Sequence, residues 1–502
     1  MTDLQTGWSR RNALKGLAVA AGSIPLLGGP LAAAAPYVQD GTDAGPGGAS
    51  GAQGTGAELT GRLVYPQDAD YDAARALWDG LFDSYPQVIV FCQNTDDVLN
   101  ALRYAREKEI AFRVRSGRHA LEGWSSVNSG IVIDVSDLKM VKLDAKSKTA
   151  TVGTGLNQGE LTNALAGTGL GFPTGDEASV GLGGVLLGGG IGVLSPSFGV
   201  ACDSLLAVDI VVPEGDKGAK LIRADRNQHS DLFWACQGGG GGNYGIATSY
   251  EVKLHDLPDL VGIWQVTWPF TALQEAFDTW QNWAPSADPR LGSTFDVRTP
   301  SNGLRVDGIF LGPPEQTREF VEPLLKVPGA QFQSSAKNWV DHYNETNAAP
   351  EPFPNWKFTP MWAPRPLPKE ALEIVRDMLI DAPSDGCEFW SLAWGGAVRT
   401  PPPGGTAFFW RDSIFYSEPG AAWAGSDPTG VHLAWIEDFR NALRPYIEGG
   451  YVNVPDVAIA DWGEWYYGTH FDRLREIKSR YDPTEVFNFE QSIPPLERAR
   501  SK

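Results

Sequence analysis

One short loop of the chain carries side chains whose types and spacing suit chemistry. The sequence Arg115-Ser116-Gly117-Arg118-His119 follows a strand-like segment at 110–114 and precedes another at 131–135. The glycine lets backbone N–H groups come close to an anion, and such concave sets of amides bind phosphate. The histidine could ligate a metal, act as a base, or be hydrogen-bonded to a neighbour without a further role. On this segment alone, an ordinary loop histidine is the simplest interpretation.

Two glycine-rich blocks follow further along the chain, at residues 181–192 and 238–246. Glycine inside a helix or strand costs stability, yet both blocks also contain apolar residues and are flanked by strand-like segments, which argues against a linker. This pattern indicates folded backbone that approaches a ligand closely. Gly153-Thr154-Gly155 lacks the third glycine of a Rossmann fingerprint, and no Lys-Ser or Lys-Thr pair follows the blocks as in a P-loop. The sequence therefore indicates nucleotide binding of a non-Rossmann kind.

The composition of the 502-residue chain excludes several classes of partner and site. Its formal net charge of -20 argues against nucleic acid and against adsorption to anionic lipid. The six histidines show no metal-binding spacing, so no metal site is expected. The cysteines have no CxxC pair and are expected to be small buried residues: Cys92, Cys202, Cys236 and Cys387. The 18 tryptophans suit a core, or a cleft for flat rings or sugars.

The N-terminus resembles a bacterial twin-arginine (Tat) export signal. Ser9-Arg10-Arg11 precedes an apolar run at 16–27 and then the small residues at 32–35. We predict a signal peptide over 1–35, a flexible Gly/Ala-rich linker over 36–61, and export to the periplasm or cell exterior by the Tat machinery. The apolar run is too short for a stable membrane anchor. A chance arginine pair in an ordinary secretory signal is the alternative.

The elements that must position these loops fall into two groups. Residues 62–256 mix strands and helices, with helices predicted over 71–81, 96–108 and 158–166 and strands over 88–91 and 141–152. Residues 257–448 have a different texture, with strands predicted over 262–268, 304–311, 389–395 and 406–410 and helices over 273–283, 315–325, 369–382 and 429–443. The second pattern is typical of an α+β unit in which helices cover one face of a sheet. The last fifty residues return to glycine and aromatic residues.

Five motifs together resemble the FAD-linked oxidases of the vanillyl-alcohol-oxidase superfamily. They are residues 115–119, the block at 181–192, Gly199-Val200-Ala201-Cys202-Asp203, Asp231-Leu232-Phe233-Trp234 and the block at 238–246. The tail from Tyr451-Val452-Asn453 to Gln491-Ser492-Ile493 is similar to that of the berberine-bridge-enzyme-like branch. The resemblance implies an α+β fold: a two-lobed PCMH-type FAD-binding domain (62–256), an antiparallel substrate domain with helices behind it (257–448), and a C-terminal segment (449–497) that closes the FAD domain.

The resemblance also implies the cofactor and its ligands. FAD would be bonded covalently to His119 through the flavin 8-methyl carbon, which makes the flavin a stronger oxidant. The other implied cofactor-binding residues are Arg115, Ser116, Gly117, Arg118, Trp124, Gly175, Ser179, Gly181, Gly184, Gly188, Gly189, Gly245, Ile246, Asn453 and Gln491. Relatives with a second covalent link carry a cysteine where this chain has Glu177. We therefore predict a single covalent link, through His119 alone.

The reaction implied by the resemblance is hydride transfer from a carbon bearing O–H or N–H to the flavin. Tyr451 occupies the position of the base, and its phenol needs help to ionise because its reference pKa is about 10. A nearby arginine or the flavin edge is expected to give that help; Arg411 could neutralise charge in the cleft or form a plain surface salt bridge. An ordinary core tyrosine is the alternative role for Tyr451.

The second half-reaction needs dioxygen near the flavin, and the implied residue there is Val180. A valine leaves room where leucine or isoleucine would crowd the approach, so we expect an oxidase that releases hydrogen peroxide from a small-molecule substrate and O2. A dehydrogenase with another acceptor and a flavin-binding protein without turnover are the alternatives. The substrate stays open between a sugar or oligosaccharide and an alkaloid, phenolic or other secondary metabolite.

Overall fold

The computed structural model describes residues 57–348 and 354–496. The predicted export signal and most of the predicted linker lie outside these residues. Within the described part of the chain, no helix combines the length and apolar character needed to cross a membrane. The described residues form three main sheets with helices, in the order of the chain.

The first sheet sets the position of the histidine loop. Its strands are β1 (Arg62–Val64), β2 (Val88–Phe91), β3 (Phe112–Arg115) and β4 (Ile131–Asp134), in the order β1-β2-β4-β3. Strands β2 and β3 run parallel to β4. The helices are Tyr71–Arg75 and Thr95–Lys108, the second of which is capped by the Asn94 side chain. Because β3 ends at Arg115, the loop that carries His119 leaves the carboxyl edge of this sheet.

The second sheet carries the two glycine-rich blocks on its connections. Its elements are β5 (Val141–Asp144), β6 (Thr149–Gly153), β7 (Leu170–Gly171), β8 (Leu205–Glu214), β9 (Gly218–Asp225), β10 (Ile246–Lys253) and β11 (His255–Asp256), with helices Gln158–Ala164, Leu182–Gly188, Ser195–Phe198 and Ser230–Ala235. The antiparallel order is β5-β6-β10-β8-β9, and β7 pairs with β11 separately. The first block lies between β7 and β8, and the second ends where β10 begins.

The third sheet is an eight-stranded antiparallel sheet. Its strands are β12 (Val261–Trp268), β13 (Leu291–Arg298), β14 (Leu304–Phe310), β15 (Gln331–Lys337), β16 (Asn355–Phe358), β17 (Met361–Ala363), β18 (Cys387–Ala393) and β19 (Phe415–Trp423), in the order β15-β12-β14-β13-β18-β19-β16 with β17 on β19. The helices are Leu273–Trp283, Thr317–Phe320, Glu322–Leu325, Trp339–Thr346, Lys369–Ile380 and Val431–Leu443. Phe277 packs on Phe295 and Phe389 of the sheet, and Phe439 also contacts Phe389.

The C-terminal segment returns to the second glycine-rich block. Its helices are Trp462–Tyr467 and Phe471–Tyr481. Across the described residues, the short 3-10 helices are Ala201–Ser204, Phe270–Ala272, Ala284–Ser286, Pro314–Gln316, Gly396–Arg399, Arg444–Tyr446 and Gly468–His470. Buried Lys478 pairs with Asp482 at 2.7 Å and donates to the carbonyl of Asn243 at 2.6 Å. The backbone N–H of Ile493 donates to the side chain of Asn243 at 2.9 Å. The predicted α+β fold class is confirmed.

Two predicted elements differ from the observed ones near the site. The helix predicted over 71–81 ends at Arg75, and a turn in which the Asp79 carboxylate accepts the N–H of Leu81 replaces its second half. The strand predicted over 406–410 is a loop. Its N–H groups at Ala407 and Phe408 donate to the carbonyls of Trp234 and Gln237 rather than to a neighbouring strand.

Two further differences follow from proline. The helix predicted over 315–325 is broken at Val321, because Pro323 has no N–H for a continuous helix. The central strand Phe415–Trp423 was not predicted, because Pro419 and Gly420 in its middle argue against a strand in sequence terms. It pairs with β18 in register all the same, Phe389 opposite Pro419.

Candidate active site

A cavity of about 230 Å³ lies between the histidine loop, the two glycine-rich blocks and the C-terminal segment. We call it the glycine-lined cavity. Eleven residues singled out in the sequence line it: Ser116, Gly117, Arg118, His119, Trp124, Val180, Gly181, Gly184, Gly245, Asn453 and Gln491. These positions are separated by up to several hundred residues in the chain, and folding brings them to one site.

Two different physical reasons explain why glycine occurs at positions that line this cavity. A Cβ on Gly117 would collide with the backbone nitrogen of Gly181, so these two glycines permit the close packing of two loops. A Cβ on Gly184 would meet no atom within 4 Å, although Gly184 lies inside the helix Leu182–Gly188. Glycine in a helix costs about 0.5–1 kcal/mol relative to alanine. Open space at Gly184 therefore favours a ligand that approaches the backbone.

The cavity also offers polar and aromatic contacts for a large, flat ligand. The Ser125 hydroxyl is buried on its wall and has no hydrogen-bond partner among residues 57–348 and 354–496. Buried hydroxyls are nearly always hydrogen-bonded, which indicates a missing partner at this point. Trp124 and Phe489 line the wall with ring centroids 4.9 Å apart. The donor set thus fits a ligand with both polar groups and a flat ring.

His119 is held on one face and at one edge. The ring of Trp78 stacks on the imidazole with centroids 4.8 Å apart. The Nε2 atom lies 2.9 Å from the Ser179 hydroxyl, which in turn donates to Oε1 of Glu177 at 2.9 Å. Trp78 is itself tied to the loop, because its backbone N–H donates to the carbonyl of Arg118 at 3.1 Å. The orientation of the imidazole is therefore fixed by its neighbours.

A second cavity of about 160 Å³ adjoins the first, and we call it the aromatic cavity. Its side-chain walls include Trp78, Trp356, Trp390 and Tyr416, together with the carboxylates of Asp176, Glu177 and Glu418. The Tyr416 hydroxyl donates to Glu418 at 3.0 Å. The residues that line both cavities are His119, Leu121, Val180, Val185 and Asn453. The two cavities therefore meet at His119 and Val180.

Tyr451 lines the aromatic cavity and is buried. Its hydroxyl oxygen accepts the backbone N–H of Gly190 at 2.7 Å and the side-chain amide of Asn453 at 2.8 Å. Burial raises the pKa of Tyr451 well above its usual range, and these two hydrogen bonds oppose that rise. The protein donors that favour the phenolate are thus a backbone amide and an asparagine, and not the arginine that was one of the two expected sources of help.

The position of Arg411 fits neither of the two roles considered for it. It is buried and forms two hydrogen bonds with Asp203, at 2.7 and 3.0 Å, and it lines neither cavity. A third bond goes to the carbonyl of Val398. This is a buried ion pair that fastens the loop at 406–411 to the 3-10 turn Ala201–Ser204, so it is not a surface salt bridge.

Several implied cofactor ligands lie behind the cavities. Arg115 pairs with Asp134 in the core and donates to the carbonyl of Ala74, and it is not part of either wall. Five more lie outside the wall of the glycine-lined cavity: Gly175, which lines the aromatic cavity, and Ser179, Gly188, Gly189 and Ile246, which line neither. A Cβ on Gly188 would collide with Asn453, so this glycine makes room for that side chain.

Three implied ligands have clear protein partners. The guanidinium of Arg118 donates to the carbonyl of Ala73 at 2.9 Å, while its loop lines the glycine-lined cavity. Gln491 donates to the carbonyl of Asp456 at 2.9 Å and accepts the Tyr466 hydroxyl at 3.1 Å. Ser179 reaches the site through its bond to His119.

Four residues of the aromatic cavity were not predicted from the sequence: Trp356, Trp390, Tyr416 and Glu418. They stand on β16, β18 and β19, and tryptophans in strands most often belong to a core. The alternation within 415–418, where Tyr416 and Glu418 point to one face, was the available signal. The four cysteines are buried single thiols that line neither cavity, as expected for small buried residues.

Comparisons with known proteins agree with this geometry. Residues 86–217 match the family described as FAD binding domain, and residues 450–494 match the family described as berberine and berberine like. The FAD-linked oxidoreductase YvdP of Bacillus subtilis is 42% identical over 446 residues, which cover 87% of this chain and 99% of that protein. The (R)-6-hydroxynicotine oxidase of Paenarthrobacter nicotinovorans is 33% identical, with coverage of 87% and 97%.

Solved structures show the same relationship. Aclacinomycin oxidoreductase superposes with a TM-score of 0.80 at 27% identity, covering 86% of this chain and 99% of its own. The BBE-like 1 protein of Physcomitrella patens has a TM-score of 0.80 at 26% identity, with coverage of 87% and 97%. Open glycine backbone at Gly184, an unpartnered hydroxyl at Ser125 and flat aromatic walls are what a dinucleotide with a flavin ring requires. The chain belongs to the FAD-linked oxidoreductases with a berberine-like C-terminal segment.

Proposed function

We propose that this FAD-dependent oxidoreductase is an oxidase that takes hydride from a carbon bearing O–H or N–H and passes the electrons to O2, with release of hydrogen peroxide. The observation that carries the proposal is the junction of the two cavities. His119, Val180 and Asn453 face both, and Tyr451 stands beside them on the aromatic side. His119 would hold the flavin at this junction, and the residues of the aromatic cavity would hold the substrate beside it.

The residues of the junction suit the reductive half-reaction. FAD, when bound, supplies the acceptor of the hydride. Tyr451 would take the proton from the substrate heteroatom, and the Gly190 N–H and the Asn453 amide would stabilise the phenolate so formed. Tyr451 is buried, and the low local dielectric of a buried position strengthens both hydrogen bonds in the charged state.

A single covalent bond through His119 is part of the proposal. Its support is that the imidazole lines the glycine-lined cavity, whereas none of the four cysteines lines it. Burial also raises the pKa of the cysteine thiols, to about 12 at Cys236 and about 11 at Cys387, which leaves them poor nucleophiles. Mass spectrometry of tryptic peptides tests this: flavin on the His119 peptide alone is expected, and flavin on a cysteine peptide contradicts it.

For the substrate, we propose a small molecule with a flat ring system and an oxidisable alcohol or amine. Trp356, Trp390 and Tyr416 offer rings for stacking, and Glu418 offers a hydrogen-bond acceptor. Relatives include oxidases named for (R)-6-hydroxynicotine and for aclacinomycin. A screen of aromatic alcohols, cyclic amines and oligosaccharides by peroxide release is the test. Turnover of oligosaccharides alone would reject the flat-ring proposal.

The acceptor is tested separately from the substrate. After anaerobic reduction with a substrate from the screen or with dithionite, rapid reoxidation by air is expected. Reoxidation by a quinone or a dye, but not by air, would make the protein a dehydrogenase. A bound flavin that no substrate reduces would make it a flavin-binding protein without turnover.

We also propose export by the Tat pathway, on the sequence of residues 1–35. Replacement of Arg10 and Arg11 by lysine should retain the protein in the cytoplasm of a Tat-competent host, whereas the unchanged chain should be recovered outside it. Export of the lysine variant at the normal level would assign the chain to the ordinary secretory route.

A further inference from the structure

We propose that Glu177, acting through Ser179, is the positioning residue for covalent attachment of the flavin. It fixes the tautomer of His119 so that Nδ1 is the nucleophile, and it receives the proton that leaves Nε2. The inference rests on the proposed covalent bond to His119 and adds to it a residue, a linking atom and a proton path.

The tautomer follows from counting protons along the chain of hydrogen bonds. The carboxylate of Glu177 can only accept, so the one hydrogen of the Ser179 hydroxyl points to it across 2.9 Å. The Ser179 oxygen must then accept from the atom 2.9 Å away on its other side, which is Nε2 of His119. A neutral imidazole with hydrogen on Nε2 carries its lone pair on Nδ1.

Neighbouring residues hold Glu177, Ser179 and His119, which we call the relay, in this arrangement of hydrogen bonds. Gln158 is buried and donates to the carbonyl of Glu177 at 2.7 Å, and its own amide oxygen accepts the N–H of Gly175. On the other side, the ring of Trp78 lies against the imidazole and limits its rotation. Glu177 and His119 therefore stand at the two ends of a path whose middle is Ser179.

The formation of the covalent bond can use this proton path, with every proton and electron accounted for. The bond that forms joins Nδ1 to the 8-methyl carbon of the flavin, and the bonds that break are one methyl C–H and the Nε2–H. The Nε2 proton passes to the Ser179 oxygen while the Ser179 hydrogen passes to Glu177, and the methyl proton leaves to solvent. The electron pair of the C–H bond reduces the flavin by two electrons. Dioxygen then reoxidises it and, with two protons, becomes hydrogen peroxide.

The test uses the full chain, isolated without flavin from riboflavin-limited cells and then mixed with FAD. In Glu177→Gln the amide can donate to Ser179, which reverses the relay and moves the lone pair to Nε2. Attachment is expected to slow by about 100-fold, the usual scale of proton-transfer catalysis, or to move to Nε2. Covalent flavin is measured by fluorescence in denaturing gels, and the linked nitrogen is identified in the histidyl-flavin released by digestion. Non-covalent FAD binding is expected to stay within about twofold.

Four further variants separate the relay from a merely structural role. Glu177→Asp keeps a carboxylate and should restore attachment at Nδ1. Ser179→Thr keeps the hydroxyl and should attach flavin, whereas Ser179→Ala should not. Asp176→Asn removes the same charge from the same cavity wall without touching the Ser179 bond, and should attach flavin at the normal rate.

The outcomes distinguish this inference from the proposed function. If the protein without substitutions carries no covalent flavin at His119, the covalent part of the proposed function is rejected. Unchanged protein linked through Nε2, or Glu177→Gln attached at the normal rate through Nδ1, overturns the inference alone. If Glu177→Gln does not fold, the comparison of Ser179→Ala with Ser179→Thr tests the inference instead. Equal attachment of flavin in these two variants overturns the relay.

Discussion

The two cavities that meet at His119 are built in different ways. Seven glycines, which have only main chain to present, line the glycine-lined cavity: Gly117, Gly181, Gly183, Gly184, Gly241, Gly242 and Gly245. The aromatic cavity is lined by large side chains, and four of them, Trp356, Trp390, Tyr416 and Glu418, stand on strands of the third sheet. A wall of main chain suits the invariant part of a reaction, the cofactor, whereas a wall of side chains can change with the substrate while the backbone stays the same.

The difference predicts which changes damage the chemistry and which damage the fold. Substitutions in the aromatic cavity should alter rates without loss of flavin. Substitutions of glycine in the other cavity should alter flavin binding or folding, according to what a Cβ would meet there. The variants below separate these cases, beginning with the largest effect on turnover.

Tyr451→Phe should slow anaerobic flavin reduction by about 100-fold or more, because the substrate proton loses its acceptor. Burial raises the pKa of Tyr451, so the reduction rate of the unchanged enzyme should increase with pH through the alkaline range, and the variant should lack this increase. Stopped-flow reduction at several pH values measures both. Tyr416→Phe removes a phenol from the same cavity and should have a smaller effect; the reverse order would assign proton removal to Tyr416 and Glu418.

Gly184→Leu should weaken non-covalent FAD binding by about tenfold or more, which corresponds to about 1.4 kcal/mol, because the new side chain enters the cavity. The flavin-free protein should be as stable as before, since leucine favours the helix. Titration with FAD and thermal unfolding of the flavin-free form measure the two properties. Gly117→Ala is the contrasting control: it should destabilise the protein itself, because its Cβ meets the backbone of Gly181. Equal FAD affinity in Gly184→Leu would place the cofactor elsewhere.

Val180→Leu should slow reoxidation of the reduced flavin by air by about tenfold, or about 1.4 kcal/mol in the barrier, with a smaller change in the rate of anaerobic reduction. The added methylene enters the junction of the cavities, where the approach of O2 is proposed. Val185→Leu adds the same group at another residue that lines both cavities. Similar slowing in both variants would argue against a specific path beside Val180.

Asp79→Asn should have the smallest effect on turnover and a clear effect on stability. Asp79 joins two walls of the aromatic cavity, because its carboxylate accepts the N–H groups of Leu81 and Trp356. Burial raises its pKa from 3.8 to about 6, so the folded state holds the proton more tightly than the unfolded state. The stabilisation is present below about pH 4 and is lost as pH rises through about 6.

Between about pH 4 and pH 7, the free energy of unfolding of the unchanged protein should therefore fall relative to Asp79→Asn by an amount on the order of 1–3 kcal/mol. The asparagine oxygen can still accept both backbone hydrogen bonds, which makes the variant a fair comparison. Denaturant unfolding of both proteins across this range is the measurement. Parallel stability curves would show that Asp79 does not titrate in this way.

The sequence predicted the parts of the site that depend on local backbone. The loop around His119 follows a strand and contains the glycine that its neighbour requires, and the open position at Gly184 lies in a block whose glycine content was already unusual. The tail residues Tyr451 and Asn453 were also selected, through the resemblance of the C-terminal tail to the berberine-bridge-enzyme-like branch. The Asn453 side-chain amide donates a hydrogen bond to the Tyr451 hydroxyl at 2.8 Å, so the two side chains contact each other directly.

The parts that were not predicted depend on contacts between distant segments. Trp78 leaves its predicted helix because Asp79 forms a turn, and the ring is then free to stack on His119. The loop at 406–411 is not a strand because its N–H groups at Ala407 and Phe408 donate to the carbonyls of Trp234 and Gln237. Arg411 pairs with Asp203 some two hundred residues away. Periodicity within one segment carries no information about such partners.

A family resemblance was needed to select His119, but the sequence by itself determined the α+β class and the glycines that line the glycine-lined cavity. It could do so because backbone conformation and close approach impose residue types locally. Only the tertiary structure decided what surrounds that histidine: Glu177 and Ser179 on one edge, Trp78 on one face, and Trp356, Trp390 and Tyr416 across the aromatic cavity. Those neighbours are set by sheet register and loop packing, which act over the whole chain.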